Sequence, residues 1–293
     1  MMTFPKFGKQ TMRTLALTGL LTGLLTGLFL TAGTTSAAAQ TMIMPLRVTF
    51  EGRDRMQEIT LFNPSNRVSV TYKLNWLSRR QNEEGNYEAV EGALDPVFDP
   101  ETALMFSPRQ VTLPPSGKQK LRISLRKPAD LPDGEYRAHL NLQRVGTQEK
   151  REVKMGRPNK ESLNVQMGMN FGVAIPVIVR QGTYDTTATV TQPEFLPAKG
   201  TTPPRVGFFI NRTGKYSANG NIKVYWQKPD GKEELIALRN NVRLYHELHR
   251  LRVEIPLKDG YTQIAGGKVR ILFEGVDPDE GIKFDEKTFP IGG

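Results

Sequence analysis

The sequence predicts an all-β protein made of two β-sandwiches. Short runs of alternating apolar and polar residues recur about every ten residues, separated by Gly, Pro, Asn and Asp turns. Seven or so such runs before residue 181 suggest an immunoglobulin-like sandwich, and a further set after it suggests a second, smaller one. The longest run is apolar at every odd position: Leu163, Val165, Met167, Met169, Phe171, Val173, Ile175, Val177 and Val179. Period two is the mark of a strand with one apolar face. Strands usually run about 5–6 residues, so a small domain needs only part of this stripe for its own core. The surplus reads as an exposed, sticky edge, consistent with Pro176, since proline is tolerated at edges. Two shorter buried strands, or one strand bent between two sheets, fit the same pattern.

The first 39 residues read as an export signal. Lys6, Lys9 and Arg13 precede an apolar run from Leu15 to about Ala32, and Ala37-Ala38-Ala39 fits the small-x-small cleavage rule. An uncleaved signal anchor is the alternative. No later stretch is apolar enough to cross a bilayer, so no stable membrane insertion is expected. Removing 39 of 293 residues leaves a 254-residue mature chain, and the formal charge falls from +10 to about +7. That modest, dispersed basicity suits steering toward acidic partners or an anionic membrane face. No basic helix or aromatic-basic motif points to nucleic acid. With no cysteine, the fold has no disulfide and no thiol chemistry.

Between Thr41 and Arg180 the predicted strands are Leu46–Phe50, Glu58–Phe62, Val68–Trp76, Val111–Leu113, Gln119–Leu125 and Tyr136–Leu142. Residues 78–102 read as a polar loop with one edge strand, and residues 145–162 as a charged flexible loop or a solvated hairpin. Tyr136, just after Asp133-Gly134-Glu135, suits a tyrosine corner, and a half-buried strand tyrosine equally. Gln181-Gly182-Thr183 is the expected hinge, dividing a domain at 40–181 from one at 182–293. In the second, strands are expected at 206–211, 222–227, 234–238, 242–245, 251–257 and 268–274, with turns at Gly214, Gly220, Pro229-Asp230-Gly231, Asp259-Gly260 and Gly266-Gly267.

No enzyme signature is present: no phosphate-binding glycine loop, nucleophile elbow or dinucleotide fingerprint. No catalytic residue, cofactor or metal is expected. The three histidines, His139, His246 and His249, lack an evident third metal ligand. His246 and His249 read as surface residues, and His139 as pointing away from the side of its strand that carries Ala138 and Leu140. Arg47 interrupts an otherwise apolar first strand. It suits either an exposed position or a cleft where its guanidinium grips a carboxylate.

Several segments carry a family resemblance. They are Arg47-Val48-Thr49-Phe50-Glu51-Gly52, Leu61-Phe62-Asn63-Pro64-Ser65, Phe106 to Gly117, Pro128 to Arg137, and Ile175-Pro176-Val177-Ile178-Val179-Arg180. In this order, over residues 44–181, the chain resembles the PapD-like periplasmic pilus chaperones of the chaperone–usher pathway. The resemblance implies two immunoglobulin-like domains set as an L, with a cleft between them, in a periplasmic protein that is not an enzyme. Its partners would be pilus subunits and an outer-membrane usher, and exchange of one strand for another would replace ATP. Mapped by motif, Met167, Met169 and Phe171 would be the central residues of the strand lent to the subunit, with Val165 and Val173 beside them. Arg47 falls at the position that holds the subunit's C-terminal carboxylate, and Phe50 and Arg180 at framework positions. Pro176 stands where the family often has a second cleft cation, so that cation must be replaced or missing. An exported tandem-sandwich adhesin is the rival reading, and the sticky edge leaves self-association open.

Overall fold

The computed structural model describes residues 41–145, 151–155, 163–167 and 172–291. The expected export signal, residues 1–39, lies outside these residues. Among them, no helix is long and apolar enough to cross a membrane.

The described residues are all-β, with one short helix among them, α1 (Pro100–Ala103), capped by Asp99. The first half contributes β1 (Met42–Met44), β2 (Val48–Phe50), β3 (Met56–Phe62), β4 (Val70–Gln81), β5 (Tyr87–Val90), β6 (Leu104–Ser107), β7 (Gln110–Leu113), β8 (Lys118–Leu125), β9 (Gly134–Val145), β10 (Arg151–Met155), β11 (Leu163–Met167) and β12 (Gly172–Gln181). The second half contributes β13 (Thr187–Leu196), β14 (Arg205–Thr213), β15 (Ala218–Gln227), β16 (Glu233–Leu244), β17 (Arg250–Pro256), β18 (Lys268–Gly275) and β19 (Lys283–Pro290).

Two sheets form the first sandwich. One has the order β1-β3-β8-β6; the other runs β2-β12-β9-β4-β5, with β7 also on β4. Alternation decides which side chains enter between them. Val70, Tyr72, Leu74 and Trp76 of β4 are buried, as are Leu121, Ile123 and Leu125 of β8 and Ala138, Leu140 and Leu142 of β9. The Trp76 indole donates to the Leu104 carbonyl at 3.2 Å, so the large ring is buried without an orphaned N–H. The Tyr136 hydroxyl donates to the Pro132 carbonyl at 2.8 Å. That is the bond of a tyrosine corner, pinning a long connection to the start of β9.

The second sandwich packs β13-β14-β17 against β16-β15-β18-β19. Its core includes Val190, Phe208, Ile210, Ile222, Val224, Val253, Ile271 and Phe273. One open side is laced by polar side chains. Asp285 of β19 accepts the Val190 N–H at 2.6 Å, and Lys287 donates to the Val190 carbonyl at 3.4 Å. Two side chains thus take the place of a neighbouring strand on β13.

Several expectations need correction. Of the two readings of segment 145–162, the flexible loop gives way to the paired one: the segment contains β10, which pairs antiparallel with β11. The long alternating run is described as two strands, β11 and β12, with residues 168–171 outside the description. Gly220 lies inside β15, not in a turn. A Cβ there would meet the Glu274 carbonyl oxygen at 2.2 Å, so glycine serves close strand approach next to a bulge. The expected strands at 234–238 and 242–245 are one strand, β16, with a second bulge against β15. His246 is not a surface residue but lies in the contact between the two sandwiches, where His139 also points, on the side of β9 away from Ala138 and Leu140 as expected.

Candidate functional site

Strand β12 is flanked on one side by β9 along its whole length. On the other side β2 runs parallel to it, but only from Val177 to Val179. Among the described residues, no strand pairs with that outer edge before Val177. Among the described residues, strand β11 has β10 as its single neighbour. The alternating stripe therefore divides. Ile175, Val177 and Val179 fill the protein's own core, at 2% exposure or less, while Val173 is 45% exposed. Val165 and Met167 lie in β11, opposite Val153 and Arg151. Met169 and Phe171 fall outside the described residues.

Arg47 sits where the open edge stops. Val48 is the first β2 residue paired to β12, opposite Val177. A chain laid along the outer edge of β12 toward Val177 would meet β2 end-on, with Arg47 at the junction. The Arg47 side chain is only 10% exposed, and its ion partner is Asp277, at 3.5 Å, whose own side chain is almost fully in solvent. Such an exposed partner, at that distance, contributes little. Burial, and next the charge of Arg243, hold the Arg47 guanidinium below its usual value.

Around this point the two sandwiches share a buried polar contact. Strand β9 explains it. Tyr136, Ala138 and Leu140 face the first core, yet Glu135, Arg137 and His139 on the opposite face are buried too, at 3% exposure or less. The second sandwich covers them. Glu135 takes the Arg180 Nε–H at 3.0 Å and two donors of Ser217, the N–H at 3.2 Å and the hydroxyl at 2.7 Å. Arg180 also pairs with Asp279 at 2.8 Å and Glu51 at 3.1 Å. Burial disfavours the Glu135 charge, but Arg180, His246 and Ser217 outweigh it and hold the carboxyl below the usual range. Asp279 lacks the two serine donors, and burial pushes it up despite Arg180.

Beside this cluster, Arg137 pairs with Glu247, donates to the Arg79 carbonyl at 2.9 Å and lies 3.6 Å from the Tyr245 ring centroid. His246 Nδ1 lies 3.9 Å from Glu135 and 3.6 Å from Glu247. Arg212 is buried among backbone carbonyls, including those of Leu248 at 2.9 Å, Gly214 at 2.8 Å and Tyr216 at 2.7 Å. From β4, Gln81 reaches across as a substitute strand partner. Its amide donates to the Arg243 carbonyl at 2.9 Å and its oxygen accepts the Tyr245 N–H at 3.2 Å. These contacts fix the floor beside Arg47 through hydrogen bonds whose partners are shielded from water, where they are strongest.

Sequence reasoning located Arg47, Val173 and the alternating stripe, and it placed Arg180 at a framework position. It missed Glu135, Arg137, Arg243 and Asp277 as one assembly. Three ionisable residues on the outer face of a central strand, at 135, 137 and 139, were the available signal. Among the described residues, no cluster of three or more His, Asp or Glu is poised to hold a metal ion.

No protein-family model matches the sequence, and no curated protein matches it. Solved structures do. The YadV chaperone is 10% identical, over 86% of this chain and 99% of that one, with a TM-score of 0.43. The CsuC–CsuE chaperone–tip adhesion subunit pre-assembly complex, from archaic chaperone–usher Csu pili of Acinetobacter baumannii, is 12% identical over 87% and 99%, with a TM-score of 0.40. The Salmonella enterica SafA pilin in complex with the SafB chaperone gives 12% identity over 86% and 96%, with a TM-score of 0.42. At these identities and scores, function must rest on the chain's own residues.

Proposed function

We propose that this chain is a periplasmic chaperone of the PapD-like kind. It binds pilus subunits by lending them a strand and delivers them to an outer-membrane usher. The observation that carries this reading is that, among the described residues, the outer edge of β11 and of β12 before Val177 has no strand partner, on a stretch that alternates apolar residues from Leu163 to Val173. An incomplete sandwich lacking one strand is the natural acceptor for such an edge, because strand addition supplies backbone bonds and apolar side chains together. Burying Val165, Met167, Met169, Phe171 and Val173 at roughly 1.5–3 kcal/mol each yields on the order of 10 kcal/mol before ordering costs. That suffices to hold a subunit without ATP, and exchange with a better-fitting strand releases it.

Arg47 supports the same reading. An incoming strand parallel to β12 ends against β2, and its terminal carboxylate then lies at a shielded guanidinium with a weak partner of its own. The signal-like leader and the absence of cysteine fit export to the periplasm.

The reading is tested with Met167, Met169 and Phe171 all replaced by Ser. Co-expressed with a pilus subunit encoded beside it, the wild-type protein should co-purify with that subunit. The triple variant should melt like wild type and capture nothing. Undiminished capture by the folded triple variant would reject the strand-lending role. A wild-type protein that binds no exported subunit would favour an adhesin instead.

A further inference from the structure

The second sandwich covers part of the outer face of the sheet that holds β9. The other sheet of the first sandwich, β1-β3-β8-β6, has an outer face that stays open. Its register sets the outward side chains in four rows. Met42 and Met44 of β1 lie beside Phe62 and Thr60 of β3, and these beside Lys118 and Lys120 of β8. Next come Glu58, Arg122 and Ser107, and then Met56 and Met105 on either side of Ser124. The alternate positions, among them Ile43, Ile59, Leu61, Leu121 and Ile123, fill the core. Two features set this face apart. Among the described side chains all four methionines, Met42, Met44, Met56 and Met105, lie on it, each more than half exposed, although methionine is ordinarily a core residue. Along β8, an inner strand, Lys118, Lys120 and Arg122 form a line of cations. The Lys120 and Arg122 side chains are 70% and 66% exposed, and both pair with Glu58, at 2.7 and 3.1 Å.

We infer that this face rests on an anionic lipid bilayer: the methionines enter between the headgroups, and the cations of β8 meet the lipid phosphates. Exposed apolar side chains gathered on one face mark an interaction surface. Charge selects the occupant, since three cations stand against one carboxylate in these rows, on a mature chain of about +7. The layout selects a bilayer over a protein. Protein interfaces gather apolar side chains at the centre and charge at the rim. Here the cations run down an inner strand and the methionines stand at opposite corners. A bilayer asks for no apolar centre and no shape fit, only apolar side chains and cations on one level. The attachment is peripheral and reversible. Strand β12 belongs to the opposite sheet, so its open edge stays free while this face is occupied.

The test is co-sedimentation of the mature chain, residues 40–293, a compact unit without the leader and its apolar run. The probes are vesicles of phosphatidylglycerol mixed equally with phosphatidylcholine, and vesicles of phosphatidylcholine alone. Wild type should bind the mixed vesicles, prefer them to the neutral ones, and lose most of that binding in high salt. Lys118→Gln together with Lys120→Gln should weaken it about thirtyfold. Met44→Ser together with Met105→Ser should weaken it about tenfold. All four side chains are exposed, and melting curves check that both variants are folded. Equal binding of wild type to the two kinds of vesicle overturns the proposal, as does undiminished binding by the lysine variant. A wild-type protein that binds neither overturns it too, and leaves the face to a protein partner. Capture of a subunit by strand lending is measured separately and does not depend on any of these results.

Discussion

His139 should make the fold sensitive to mild acid. Its side chain is buried (3% exposed) on the covered face of β9, edge-on to the Tyr87 ring. Burial, and then the charges of Arg137 and Arg79, depress its pKa from 6.5 to about 3. The folded state therefore holds a neutral imidazole that the unfolded chain would protonate. The sign follows: stability is fully present above pH 6.5 and falls as pH drops from there toward 3. Each unit corresponds to about 1.36 kcal/mol, so moving from pH 7 to pH 5 costs about 2 kcal/mol from this residue. Burial also lowers the pKa of His246, against Glu135 and Glu247, and acts in the same direction. The assay is urea unfolding of wild type and His139→Gln at the two pH values. The difference between pH 7 and pH 5 should shrink by about 2 kcal/mol in the variant. Equal differences in both proteins would refute the assignment of a neutral, charge-repelled imidazole.

Two other perturbations probe the contact between the sandwiches. Arg180→Met removes the counter-charge of fully buried Glu135 and should cost about 3–5 kcal/mol, read as a lowered Tm; adding Glu135→Gln should recover part of the loss. An unchanged Tm for Arg180→Met would mean that the cluster stabilises nothing on balance. Gly182 has φ +86, and a Cβ there would lie 2.1 Å from Asp133 Cγ. Gly182→Ala should therefore cost about 1–3 kcal/mol, with part of it relieved by Asp133→Ala, as chemical denaturation would register.

The first sandwich was legible because each of its strands fills one face. In β4, Val70, Tyr72, Leu74 and Trp76 are buried and Lys73 and Asn75 are exposed, which is period two written plainly. The tyrosine corner at Tyr136 was legible from its Asp-Gly turn. Strand β19 was not. It is a charged edge, Lys-Phe-Asp-Glu-Lys-Thr-Phe-Pro, with no residue fully buried. Its job of lacing Val190 through Asp285 and Lys287 depends on a strand nearly a hundred residues away. Gly220 misled because a glycine that permits close approach inside a sheet looks the same in sequence as one that permits a turn.

The site divided along the same line. The alternating stripe and Arg47 stand out within a single segment, as an excess of apolar positions and a charge among apolar neighbours. The polar floor beside Arg47 is assembled from residues 47, 81, 135, 180, 243 and 277, and no local pattern joins them. Glu135, Arg137 and His139 read as a solvated strand face until a second sandwich covers them. Only the tertiary fold reveals that their charges are buried and must be paired.

The most direct measurement is amide hydrogen exchange across residues 163–176, in the free protein and in complex with a captured pilus subunit. Strand lending predicts fast exchange at the outward-facing amides of the free chain and their protection once the subunit is bound. Amides equally protected in both states would mean that this edge is already closed, and equally unprotected ones that the subunit binds elsewhere; either contradicts the account.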